Sequence, residues 1–245
     1  MSALRDQILY YALLYHGDWN RIAKAISLNE QWRKIDYRGC YLTIADEGYP
    51  QCFRRLRYPP WILFYKGNMD LLNHKAVSVI GSRKASTEGK KAAQEIVDIL
   101  KKKYVIISGL AKGIDAQVHH SALDRMTVGI IGCGIDRVYP AENVLLYEKM
   151  EQQHLIVSEY PGDTRPFAAH FPWRNRLIAA AGEALIVVEA TVRSGTMHTV
   201  NQALELSRPV YCATRSFTEK IYTGNALLIQ QGAQMLLNRE DVEEL

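Results

Sequence analysis

No apolar run in this 245-residue chain approaches the roughly 20 residues that a membrane-spanning helix requires. The opening Met1-Ser2-Ala3-Leu4-Arg5-Asp6 lacks the charged-then-apolar order of a secretory signal. Cysteine is scarce. Cys40, Cys52, Cys133 and Cys212 are dispersed, with neither the close pairs of a metal knuckle nor the density of a disulfide framework. Reduced, mostly packed thiols, no metal and a cytoplasmic location away from membranes are therefore expected. Adjacent histidines on one helix point in different directions, so His119 and His120 make a poor ligand pair. Internal repeats and low-complexity tracts are missing. So is a dinucleotide fingerprint. Gly132 and Gly134 follow an apolar run, but the third glycine is not at the required position and no acidic residue follows a second strand at the right spacing. No cofactor is expected.

The composition that remains is ordinary for a globular protein, with 48% apolar and 23% charged residues. A net charge of +4 is compatible with a nucleic-acid partner but too small to establish one. The position of the cations matters more. Val77-Ser78-Val79-Ile80 is an apolar, β-branched run stopping at Gly81, the pattern of a strand buried on both faces. From about Thr87 to Lys102 apolar residues recur at helical spacing, with Lys90, Lys91 and Glu95 largely on the opposite side. Val105-Ile106-Ile107 then repeats the buried strand. Strand, glycine turn, helix and strand make a βαβ unit, whose ligand crevice lies beyond the carboxyl ends of the strands. Two of those ends put small residues beside a cation: Gly81-Ser82-Arg83-Lys84 and Ser108-Gly109-Leu110-Ala111-Lys112-Gly113. Glycine permits close backbone approach, serine offers a hydroxyl, and helix N-termini present free N–H groups. Phosphate is the matching guest.

Around this unit, residues 1 to 37 read as a small helical module. Leu4, Ile8, Leu9, Tyr11, Ala12 and Leu14 form a first stripe, and Asp18 is the expected N-cap of a second helix holding Ile22, Ala23 and Ile26. Residues 38 to 74 read as short strands and fixed turns. Further strands are expected at Val128–Ile131, Leu155–Val157, Ala184–Val188 and Pro209–Ala213, with a last one at Gln234–Leu237. Helices are expected over Ala116–Leu123, Asn143–Gln153 and Ala226–Ile229. Ser194-Gly195-Thr196, following a strand, is again suited to an anion.

The second informative stretch is Arg165 to Ile178. Two prolines start it as a loop, and Arg174 onward can enter a helix. Arg165, Arg174 and Arg176 alternate with Phe167, His170, Phe171 and Trp173. Cations for phosphates interleaved with rings for bases are what single-stranded nucleic acid recruits. The alternative is that the rings anchor a core while the arginines pair with carboxylates.

These blocks, in this order, closely resemble the DNA-processing protein A (DprA/Smf) family. The matching residues are Val79 to Arg83, Ser108 to Asp115 with His119, Gly132 to Asp136 with Tyr139, Pro140 and Asn143, Ser158 to Pro161, Phe171 to Ile178, Val188 to Ala190 with Ser194 and Gly195, and Gly224-Asn225 before Gly232-Ala233. The resemblance implies an α/β fold: an extended Rossmann-like, doubly wound, mostly parallel sheet over residues 38–245. It also likens residues 1–37 to the small helical, SAM-like domain of some members, with no C-terminal winged helix. It implies a non-catalytic protein that binds single-stranded DNA, protects it on entry and loads the RecA recombinase in natural transformation and recombination, acting as a homodimer. Carried over, the DNA site takes Ser82, Arg83, Lys84, Ser108, Gly109, Lys112, Gly113, Arg165, His170, Phe171, Arg174, Asn175 and Arg176. The segment Asn225 to Leu237, with Leu228, Ile229, Met235 and Leu237, is the expected dimer face. Ser194-Gly195-Thr196-Met197-His198 and Ala213-Thr214-Arg215 depart from the family pattern. The rival reading is a Rossmann-like nucleotide hydrolase resembling the phosphoribohydrolases, with Glu159, Glu189 or Asp115 as general base. It lacks the paired glycine-rich and threonine-glutamate signature of those enzymes.

Overall fold

The computed structural model describes residues 3–214 and 223–245. The first helix, α1 (Ala3–Leu14), buries Ile8, Leu9, Tyr11 and Ala12, so the expected stripe faces inward over its middle turns. In α2 (Trp19–Ser27) the Asp18 carboxylate accepts from the Arg21 N–H at 2.9 Å, as an N-cap should. Both helices share one apolar cluster with Ile62, Phe64, Ile131 and Ile156 from the sheet and Leu146, Tyr147 and Met150 from a later helix.

Strands β1 (Cys40–Thr43) and β2 (Ile62–Gly67) flank the short α3 (Gln51–Arg54). Next come β3 (Ala76–Ile80), α4 (Thr87–Leu100), β4 (Val105–Gly109), α5 (Ile114–Ala122), β5 (Thr127–Gly134), α6 (Val144–Gln153) and β6 (Leu155–Tyr160). The second half holds α7 (His170–Ala181), β7 (Leu185–Val187), α8 (Thr196–Glu205), β8 (Val210–Ala213), α9 (Thr223–Gln230), β9 (Gln234–Leu236) and α10 (Arg239–Glu243). Among the described residues, nine strands form one sheet in the order β1-β2-β6-β5-β4-β3-β7-β8-β9. Only the β1–β2 and β2–β6 pairs are antiparallel. The other pairs are parallel, giving the expected α/β, Rossmann-like sheet.

Strand order sets the crevice. β3 lies between β4 and β7, so the chain builds outward from β3 in one direction, returns, and builds outward in the other. Connections leave the two adjacent strands toward opposite sides and open a gap beyond their carboxyl ends. The β3 end carries Gly81-Ser82-Arg83 and the β7 end carries Glu189. Their backbones are tied there, with Ser82 N–H donating to the Glu189 carbonyl at 2.7 Å. The strands read as unbroken apolar runs because they are covered on both faces: every residue of β3, β4, β5 and β6 is buried.

Two expectations fail here. The Arg165 segment becomes helical at His170, not Arg174, because Pro172 falls in the first turn of α7, where a missing N–H is harmless. The expected dimer face does not form one exposed surface. Leu228 is only 5% exposed inside the main core and Ile229 packs against it, whereas Met235 and Leu237 lie 50% and 65% exposed at the sheet edge. Asn225 is buried too, with Nδ2 close to the carbonyls of Val187, Val188 and Ala213. Of the departing segment Ala213-Thr214-Arg215, Arg215 lies outside the described residues. All four cysteines are free, Cys133 and Cys212 buried and Cys40 exposed. Among the described residues no helix is long and apolar enough to cross a membrane.

Candidate functional site

A cavity of about 770 Å³ opens at the switch point between β3 and β7. Gly81 to Lys84, Asp115, Tyr139, Phe171, Arg174, Asn175, Glu189 and the Ser194 to Thr199 region line it. A recess of about 220 Å³ extends it between Tyr139, Pro140 and Phe171, with Arg83 and Lys112 at its edge. Gly81 is required at the strand end, since a Cβ there would meet Ile114 Cγ1 at 2.7 Å and the Glu189 carbonyl at 2.9 Å. That close approach lets the Ser82 carbonyl accept from the Ile114 N–H at 3.0 Å. The turn after β3 is thereby fixed to the start of α5. The Lys84 N–H donates to Ser82 Oγ at 3.1 Å, completing a local turn.

This anchoring projects two cations outward. Arg83 and Lys84 are exposed, and among the described residues neither makes a close ion pair. The Arg83 guanidinium sits over the Phe171 ring, 5.0 Å from its centroid. Tyr139 packs against the same ring, with centroids 5.6 Å apart, and is 42% exposed. Lys112 is also exposed but carries an ion pair with Glu142. Exposed pairs of this kind contribute about 0–1 kcal/mol, so a phosphate can displace the carboxylate.

The remaining candidates divide sharply. Arg174 is 4% exposed beneath the cavity, where its Nη1 donates to the Ile130 carbonyl. Burial pushes its guanidinium below the ordinary value, and the facing Asp115 pulls it back. Burial lifts the Asp115 carboxyl against the opposing influence of Arg174. Arg174 therefore sets the potential of the floor without standing on the surface. Asn175 reaches the rim, where Nδ2 donates to the Gly195 carbonyl at 3.4 Å.

Six expected contacts are placed elsewhere. Arg176 is held by a buried, forked ion pair with Glu159, both N···O distances being 2.6 Å. Ser108 is fully buried and donates to the Val79 carbonyl at 2.7 Å, joining β4 to β3. Gly109 lies directly under Arg174 and Asp115, and Gly113 starts α5. His170 stacks on Tyr160 at 3.9 Å between centroids, on the far side of the α7 entrance, with Phe167 edge-on to it. Arg165 is exposed in the approaching loop, outside the cavity lining. The three carboxylates of the hydrolase reading are all internal. Glu159 binds Arg176, Asp115 faces Arg174, and Glu189, fully buried, accepts from Ser86 N–H and Oγ.

Sequence reading missed Thr199 and the role of Tyr139. A signal for Thr199 existed, since it follows Thr196 at i+3 in a helix leaving the switch point. Tyr139 gave none, because its pairing with Phe171 depends on how two distant loops converge.

His119 fixes the α5 side from below. It is fully buried, with Nε2 2.7 Å from the Gly109 carbonyl and Nδ1 2.8 Å from Thr127 Oγ1. Burial pushes its pKa down from 6.5 to about 3. Below pH 6.5 the unfolded chain takes a proton at this residue that the folded chain refuses, until the pH nears 3. Stability should fall on acidification through that window, by about 1.4 kcal/mol per pH unit from this group alone. Urea unfolding of wild type and His119→Gln between those limits should show a slope difference of about one proton.

Comparison with known proteins agrees with this architecture. A family model described as DNA recombination-mediator protein A matches residues 40–245. The DNA processing protein DprA of Streptococcus pneumoniae is 40% identical over 202 residues, covering 82% of this chain and 72% of that protein. Its crystal structure superposes with a TM-score of 0.81 and 33% identity over 98% of this chain and 93% of that one. The DNA processing protein A of Helicobacter pylori, whose structure is described for its single-stranded DNA binding mode, gives a TM-score of 0.77 and 29% identity over 84% and 95%. On the family model, the similarity of sequence and the shared fold, the chain belongs to the DNA recombination-mediator protein A (DprA/Smf) family.

Proposed function

We propose that this chain binds single-stranded DNA along the switch-point crevice, protects it, and passes it to a RecA-type recombinase. The supporting observation is one juxtaposition. Arg83 and Lys84, without a close ion pair among the described residues, stand at the rim of the crevice that also presents the Phe171 and Tyr139 rings. Single strands need both parts, since cations neutralise phosphates and rings accept unstacked bases of any identity. Arg174 adds a buried positive charge below, which raises the potential without a direct contact. The relative from Helicobacter pylori supports the polynucleotide as ligand. Transfer to a recombinase, and action as a homodimer, rest on family membership. A dimer presenting two such crevices gains avidity for a long strand that one crevice cannot.

A titration of labelled oligothymidylate, followed by fluorescence anisotropy at several salt concentrations, tests the reading. Three to five phosphate contacts give a slope of log K against log salt of about −2 to −3.5. Arg83→Ala should reduce that slope by about 0.7 and weaken binding about tenfold. Binding unchanged by the substitution would remove Arg83, and with it this crevice, from the DNA path.

A further inference from the structure

The β7 side of the crevice carries polar groups that have no partner among the described residues, none of which the Arg83 rim uses. α8 (Thr196–Glu205) starts there without a side-chain cap, the Met197 N–H donating to the Ser194 carbonyl at 3.2 Å. An uncapped helix start leaves donors free and carries the positive end of the helix dipole. Three hydroxyls surround it. Ser194 Oγ is buried and has no hydrogen-bond partner among the described residues. Thr196 and Thr199, one turn apart on α8, are 7% and 2% exposed, and among the described residues neither hydroxyl is hydrogen-bonded. All three residues line the same cavity as Arg83. An unmade bond at a buried polar group costs about 1–3 kcal/mol, so Ser194 Oγ requires an explanation, and the two threonine hydroxyls stand beside it at the cavity wall.

A second, independent observation comes from α7. Arg174 lines this cavity, is 4% exposed, and its Nε has no acceptor among the described residues. The guanidinium nitrogen, the three hydroxyls and the start of α8 therefore line one cavity rich in donors. Of the two carboxylates lining the cavity, Glu189 is taken up by Ser86 and Asp115 faces Arg174. The Asn175 amide, donating to the Gly195 carbonyl, ties the start of α8 to α7. A tetrahedral oxyanion can accept from the hydroxyls and the helix start together, with Arg174 adding positive potential beneath.

We propose that Ser194, Thr196, Thr199 and the N-terminus of α8 form a second phosphate subsite, seating a backbone phosphate of the strand whose neighbouring phosphate Arg83 holds. This rests on the single-strand reading for the source of the phosphate. The same chemistry suits a terminal phosphate or a free nucleotide, and the experiment separates these sources.

Backbone amide shifts of the ¹⁵N-labelled full chain provide a direct readout. One arm adds an oligothymidylate with hydroxyl groups at both ends, and the other adds inorganic phosphate. The oligonucleotide should move the amides of Gly195, Thr196 and Met197 together with those of Ser82, Arg83 and Lys84. In the variants Thr196→Val and Ser194→Ala, with unfolding midpoints matched to wild type, oligonucleotide affinity should fall about three- to tenfold. Shifts at Ser82 to Lys84 alone would overturn the subsite while leaving the crevice reading intact. Shifts at Gly195 to Met197 with inorganic phosphate alone would overturn the strand assignment. An oligonucleotide that moves neither loop would overturn the single-strand reading itself.

Discussion

Arg176→Ala should lower the unfolding free energy by about 3–5 kcal/mol, a large share of the stability of a typical domain. The size follows from what the substitution leaves behind. Arg176 and Glu159 side chains are each 5% exposed, and the fork closes with two N···O distances of 2.6 Å. Two further guanidinium N–H groups donate to the Tyr58 carbonyl at 3.1 Å and the Trp173 carbonyl at 2.8 Å. The guanidinium plane also lies 4.0 Å from the Trp173 ring centroid. Truncation removes all of this and strands a carboxylate away from water. Arg176→Lys should recover little, because an ammonium cannot reproduce the fork or the stacking. Replacing both partners together, as Glu159→Leu with Arg176→Met, should recover most of the loss, since no charge is then left unpaired. Urea denaturation followed by tryptophan fluorescence reads all four proteins. A single variant within about 1 kcal/mol of wild type would mean that Glu159 finds water or another partner, contrary to its burial.

Arg176 also shows what the sequence could and could not convey. The stretch from Arg165 to Ile178 alternates rings and cations, and as an extended segment all of them would share one surface. As a helix, each residue is turned about 100° from the last, and the stretch divides into stripes. Phe171, Arg174, Asn175 and Ile178 follow the i, i+3, i+4, i+7 spacing and line the crevice. Trp173 and Arg176 fall on another stripe, toward Tyr58 and Glu159. Local pattern was enough to find the helix but not its start, because proline reads as a loop and also suits a first turn. Nothing local announces Glu159 as the partner. It lies near the end of β6, 17 residues earlier, and only the closed fold brings the two together. Ser108 misled for a related reason, since a serine at a strand end looks the same whether its hydroxyl faces a ligand or a neighbouring strand. The β3-to-β4 unit was legible because burial on both faces imposes an apolar run on each strand and a stripe on the helix between them. The same property concealed Leu228. An apolar residue near the end of a chain looks alike whether a partner or the core covers it.

Gly113→Ala is the second large effect, and it should reach both stability and DNA affinity. Gly113 sits at φ 80° and ψ −122°, a region that side chains essentially do not enter. A Cβ there would lie 2.2 Å from the Ser82 carbonyl oxygen and 2.8 Å from the Arg83 carbonyl carbon, both backbone atoms. Neither can swing aside as a side-chain tip would, so the Ser82–Arg83 turn must move away from α5. That movement breaks the hydrogen bond from Ile114 N–H to the Ser82 carbonyl, which holds Arg83 over Phe171 and sets the spacing to the Lys112 loop. Strain of about 1–3 kcal/mol plus the lost contact gives a destabilisation of about 3 kcal/mol or more. Affinity for oligothymidylate should fall further than in Arg83→Ala, since two cation-bearing loops are displaced instead of one side chain removed. Gly162→Ala separates conformation from collision. Gly162 also has a positive φ, 52°, yet a Cβ there meets nothing within 4 Å, so its cost should stay near 1 kcal/mol with DNA binding unchanged. If the two alanine variants lose equal stability and bind DNA equally well, contact between the loops is not what positions Arg83.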